Sequence, residues 1–302
     1  MTLLLHAGVG PDAVWTSWDW KPGIAIPLLV SAFLYGRGLR LLWDEHIGRG
    51  IRVWEAAGFA TGWVLTWVAL LSPLHALSEQ LFVAHMIQHE LLMAVAAPLL
   101  VVGRPLVPML WALPSPARRR VGRWSKARAW RRAWRFISRP TVAFVLHGVA
   151  IWVWHAPALY QATLSSEMVH ALQHSTFLGT ALLFWWTIIH GHAPGGRARA
   201  VSFGTAVLLL FGTALHSGAL GGLLTFSRTL WYPAYGSSAR AWGLTAFEDQ
   251  QLAGLVMWIP ATFAYLVAAL FLFTGWLRAS EERVHERELA RAAERVEGDT
   301  WS

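Results

Sequence analysis

Residues 81–102 read LFVAHMIQHELLMAVAAPLLVV, apolar throughout except for one knot at 85–90, HMIQHE. At 1.5 Å per residue the run is long enough to cross a hydrocarbon core of roughly 30 Å as a helix. Two imidazoles and a carboxylate inside such a helix are costly to desolvate. Ionisable residues in a span usually face the bundle interior and mark a functional path. The stretch therefore predicts a membrane helix with His85, His89 and Glu90 turned toward protein.

The rest of the chain has the same solvent. Of its 302 residues 55% are hydrophobic and 14% charged, against roughly 25% charged in a soluble domain. Seven apolar runs predict an all-α, seven-transmembrane helix bundle with spans near 24–43, 54–73, 79–102, 141–156, 168–190, 201–223 and 250–276. Helices are required because an open sheet edge cannot be satisfied in lipid. MTLLLHAGVG has no basic n-region, so the first span is expected to serve as its own insertion signal. The pairs Gly58/Gly62 and Gly218/Gly222 would permit close helix approach. A 1–276 membrane domain is expected, with an outer loop at 224–249, followed by a charged helical tail at 277–302.

Charge sets the expected orientation. Segments 37–52, 104–139, 197–199 and 278–295 hold 22 of the 25 Lys and Arg. By the positive-inside rule these face the cytoplasm, with the N-terminus outside and the C-terminus inside. The cytoplasmic segment 104–140 includes RRRVGRWSKARAWRRAWRFISRP (118–140), which interleaves Arg with Trp124, Trp130 and Trp134. Between two spans this reads as an interfacial helix on anionic lipid rather than a nucleic-acid patch. The net charge of +8 is thus a membrane feature.

There is no Cys and there are 13 His. The first fact excludes disulfides, thiolate metal sites and a Cys nucleophile. With the predicted topology, His85, His89, His155, His170, His174 and His216 fall in the outer leaflet, joined by Asp249 at the start of the last span. His85/His89 and His170/His174 are both i,i+4 pairs, each on one helix face with Cβ atoms about 6 Å apart. Facing each other, they would offer four imidazoles to one ion. Imidazole suits copper, zinc and iron, and Met86, Met168 and Met257 could supply soft ligands to copper(I). Gln88, Gln173 and Glu90 could orient the ligands. Asp249 serves either as a ligand or as a helix cap. His75, His147, His190 and His192 read as structural or interfacial, His285 as surface, and Trp152, Trp154, Trp231 and Tyr232 as an outer aromatic belt.

Four stretches, HMIQHELLMAVAAPLLVVGRPL (85–106), WHAPALYQATL (154–164), HALQHSTFLGTALLFWW (170–186) and EDQQLAGLVMWIPA (248–261), resemble the CtaG-type cytochrome c oxidase assembly factors. The resemblance runs over about residues 20–276. It implies a multi-pass protein of the bacterial plasma membrane, an assembly factor rather than an enzyme. Its partners would be cytochrome c oxidase subunits, and its role copper delivery or insertion. Copper is thus the expected cargo, ahead of zinc, iron or haem. Three other readings stand beside it. A membrane di-iron oxidoreductase uses H-x-x-x-H boxes, but with H-x-x-H-H, which this chain lacks. A b-type haem protein could place at most one haem on these pairs. In a metal-free scaffold the His pairs would only hydrogen-bond across helices.

The orientation is tested by single cysteines. One at Ser165 should react with a membrane-impermeant maleimide in intact cells, and one at Ser125 only after lysis. The reverse pattern would invert the topology and move the histidines to the cytoplasmic side.

Overall fold

The computed structural model describes residues 13–191 and 203–299, and every regular element among the described residues is helical. His192 and the basic loop 197–199 lie outside them. In chain order come α1 (Pro22–Leu42), α2 (Val53–Leu71), α3 (Pro73–Ser78) and α4 (Phe82–Glu90). A π-helical turn (Leu91–Ala96) leads into α5 (Ala97–Val102), then α6 (Leu106–Ala112), α7 (Ser115–Ser125), α8 (Arg128–Ile137) and α9 (Pro140–Trp154). There follow α10 (Pro157–Ser165), α11 (Glu167–His190), α12 (Phe203–Phe226), α13 (Ser238–Ala241) and α14 (Ala246–Asp299).

A helix occupies each of the seven expected ranges, but not all qualify as spans on their own. Pro22–Leu42, Val53–Leu71, Phe82–Val102, Phe203–Phe226 and Ala246–Leu277 are long and apolar enough to cross a membrane. α9 has only 15 residues and continues α8 across a 68° bend, which makes a sixth candidate. α11 has the length, at 24 residues. Its first half carries Glu167, His170, Gln173 and His174, which lower its hydropathy. The chain is a multi-pass membrane protein. α14 runs unbroken to Asp299, so the expected tail continues the last span rather than following a break.

The third span is the least regular. In its π-helical stretch the Ala97 N–H reaches back five residues to the Leu92 carbonyl. In that register the donor for the Met93 carbonyl would be residue 98, which is Pro98 and has no N–H. The Trp185 indole of α11 supplies the missing bond, 2.9 Å from the Met93 oxygen. The span's far end is tied in the same way, with Tyr35 Oη donating to the Gly103 carbonyl at 2.9 Å.

Close approach elsewhere depends on glycine. A Cβ at Gly62 would meet the Leu100 nitrogen at 2.8 Å and the Ala96 oxygen at 2.9 Å, so α2 lies directly on the third span. Where α12 crosses α14 the contact is Gly221 against Gly254; Gly222, half of the expected pair, faces open space. The amphipathic helices α7 and α8 pack Trp124 on Trp130 and Trp130 on Trp134, with ring centroids 4.3 and 6.2 Å apart.

Trp185→Phe keeps the ring that stacks on Tyr265 but removes the donor to Met93. Leaving a buried carbonyl unsatisfied should cost about 1–3 kcal/mol. Unfolding of the purified protein in detergent should show this loss, and an unchanged midpoint would mean that the π turn needs no such tether.

Candidate metal centre

α4 begins at Phe82 with no capping side chain of its own. Asp249, in the first turn of α14, fills that role from 167 residues away. Its Oδ2 accepts the Phe82 N–H at 2.8 Å and its Oδ1 the Val83 N–H at 2.9 Å. A carboxylate at a helix N-terminus satisfies orphan donors and meets the positive end of the dipole. Thr245 and Glu248 cap α14 itself by reciprocal bonds. Both oxygens of Asp249 are thus engaged. It positions α4 and does not join the histidines.

One turn further, His85 and His89 lie fully buried on the inner face of α4. Their Nε2 atoms are 2.9 Å apart. α11 brings His174 against them, with ring centroids 5.7 Å from His85 and 5.1 Å from His89. One nitrogen from each of His85, His89 and His174 falls within 4.8 Å of the others. His89 Nδ1 and His174 Nε2 are buried without a hydrogen-bond partner. Nitrogens held at about 2.0–2.1 Å by one ion lie roughly 3–4 Å apart, so a small closing of the three rings would let this donor set hold a transition-metal ion.

Two more histidines border this trio. His170 lies 4.4 Å from the His174 ring and 5.2 Å from that of His85. His155, just past the end of α9, packs 6.2 Å from His89. Its Nδ1 lies 2.7 Å from the Ile151 carbonyl, which fixes the proton there. The Nε2 lone pair then faces the Met86 sulfur at 3.4 Å. Two lone-pair donors with no proton between them suit a soft cation. Met168 is exposed and Met257 is buried in the core cluster, apart from these contacts.

His216 is not in this group. It is partly buried and lies against Phe144 and Gly148 of α9. The second-sphere expectations also shift. Gln88 donates to the Ala69 carbonyl at 2.6 Å and reaches His75 Nδ1 at 3.1 Å, so it holds His75 rather than a member of the trio. Gln173 is fully buried on α11, with neither end of its amide hydrogen-bonded. Glu90 is buried, and its Oε2 has no hydrogen-bond partner.

Sequence reasoning missed the roof. His75 stacks on His170 with centroids 5.6 Å apart, and its Nε2 lies 3.4 Å from Asp19. The His75 hydrogen bond, with help from Lys21, holds the Asp19 carboxyl down at about 2. Tyr235 Oη sits 3.2 Å from His85 Nδ1 and 3.1 Å from Tyr160 Oη. Burial pushes both phenols far above their ordinary range, so they stay protonated. Tyr232, expected in the aromatic belt, is instead buried and donates to the His155 carbonyl at 2.6 Å. The only early signal for these tyrosines was their place in outer loops flanking the His-bearing helices.

The family model for "Cytochrome c oxidase caa3 assembly factor" matches residues 33–279. The chain belongs to that family. A relative, an uncharacterized protein of Mycobacterium leprae (strain TN), is 25% identical over 285 residues, covering 90% of this chain. The chain spans 41% of that relative's length. No solved structure matches it. In this caa3 assembly factor family member the histidine trio is the candidate functional centre.

Asp249→Asn keeps the size of the cap but presents an NH2 to a backbone N–H and removes the charge. A loss of about 1–2 kcal/mol in unfolding free energy is expected. An equally stable variant would show that α4 does not depend on this cap.

Proposed function

We propose that the protein holds copper at the buried histidine cluster and passes it to a cytochrome c oxidase subunit during assembly. The observation that carries this reading is the trio His85, His89 and His174, three buried imidazoles from two helices, with His89 Nδ1 and His174 Nε2 lacking a partner. Met86 and His155 add a soft thioether and a free imidazole lone pair at its edge. Among the described residues no carboxylate joins the trio, and Asp249 is spent on α4. A low-charge donor set in a low-dielectric site favours copper(I) over a divalent ion. Copper is cargo here, so the protein needs no catalytic step and acts as a carrier rather than an enzyme.

The topology completes the proposal. Seven spans, with the N-terminus outside and the C-terminus in the cytoplasm of the plasma membrane, put the cluster in the outer leaflet, within reach of an oxidase copper centre. α7 and α8 would then rest on anionic lipid at the cytoplasmic face. His75, Asp19 and Tyr235 cover the cluster from its loop side, where a partner subunit would meet it.

Copper analysis of the purified protein tests the assignment. H85A/H89A and H174A should each remove most cluster-bound copper, whereas H285A should not. Affinity should fall as the pH is lowered, because each imidazole nitrogen must be unprotonated to bind and protons compete for it; a thioether site would not respond. In cells the variants should accumulate oxidase polypeptide without active enzyme. Wild-type copper content in H85A/H89A/H174A would exclude these ligands, and normal oxidase activity in that variant would separate the site from assembly.

A further inference from the structure

His147 is 1% exposed, midway along α9, and its Nδ1 lies 3.1 Å from Thr180 Oγ1. The Thr180 hydroxyl has one proton, given to the Thr176 carbonyl at 2.8 Å. His147 must therefore be the donor in its bond to Thr180, which places its proton on Nδ1 and leaves the Nε2 lone pair bare. That Nε2 is buried and has no hydrogen-bond partner. Opposite it, α12 presents His216, whose two ring nitrogens are also buried and unpartnered. His216 Nε2 lies over Gly148, the residue next to His147, 3.4 Å from where a Cβ would stand.

A neutral His216 keeps a proton on one nitrogen and a lone pair on the other, so the two imidazoles present two lone pairs, with no bond between the rings. The walls are Phe144, edge-on to His216, and Phe184, stacked on His147 at 5.6 Å. Among the described residues no carboxylate adjoins either ring. An aromatic-walled pocket without a counter-charge disfavours a divalent ion and tolerates a soft monovalent one, which the π faces also attract.

We propose that His147 and His216 form a second metal site, a two-imidazole seat for a monovalent d10 cation such as copper(I). His147 is eight residues from His155, so the seat lies about 12 Å along α9 from the cluster's edge. Phe177, packed 4.7 Å from His89 and 6.0 Å from His155, separates the cluster from the deeper part of the bundle. The protein thus has two stations at different depths, and the second does not depend on the first being a copper site.

Silver(I) and copper(I) titration of the full chain in nanodiscs reads the second station directly. H85A/H89A/H174A should retain one equivalent of silver(I), and adding H147A/H216A should abolish it. H216F, which keeps an aromatic ring on Phe144, and G148A, whose methyl would cover Nε2, should each remove one equivalent from the otherwise wild-type protein. X-ray absorption of the remaining ion in the cluster variant should show two nitrogen neighbours. Unchanged stoichiometry in both H216F and G148A, or a water-filled pocket that binds no silver(I), would overturn the second site. Loss of binding confined to the cluster variant would leave only the first.

Discussion

In hydrocarbon every peptide group must find its partner inside the protein, and the third span breaks its own ladder in three places. Its first N–H groups have no local cap, its π register leaves Met93 facing Pro98, and its last turn exposes the Gly103 carbonyl. Asp249, Trp185 and Tyr35 close these gaps from α14, α11 and α1. The span that carries His85 and His89 is thus fixed at its start, middle and end by three other helices. That fixation allows two imidazoles on adjacent turns to be held with their Nε2 atoms 2.9 Å apart.

The same economy governs the tautomers. Ile151 takes the proton of His155 and Thr180 that of His147, each leaving a lone pair directed into the bundle. A buried imidazole without a partner for its second nitrogen is a cost that packing alone does not recover. Several such nitrogens recur here, at His89, His174, His147 and His216. They lie on α4, α9, α11 and α12, and they are the nitrogens that the two proposed metal sites would engage.

Above the cluster the loops form a lid of specific contacts. Trp242 donates to the Gln80 side chain and Ser238 to the Gln80 carbonyl, pinning the 227–245 loop to the start of α4. From the other side the Asp19 N–H reaches the Leu71 carbonyl at the end of α2, while Lys21 bridges to Glu167 at the start of α11. These bonds frame an apolar contact in which Ala239, Trp242 and Leu244 of the loop pack on Leu74, Leu77 and Leu81.

Composition and periodicity by themselves determined the solvent, the helical class, the helix at each of seven places and the two His pairs that converge. These are local properties: hydrophobic run length, i,i+4 spacing and the absence of Cys act within one segment. The family resemblance rested on the same short stretches. What only the tertiary structure decided is how segments distant in sequence share one volume. Asp249 became the cap of α4 because α14 starts beside it, and Tyr232 turned inward because the loop folds over α10. His75 joined the cluster through Gln88 and Asp19. His216 left it, since α12 packs on α14 and α9 rather than on α4. Helix rotation and loop docking are set by packing against neighbours, and no single segment encodes its neighbour's face.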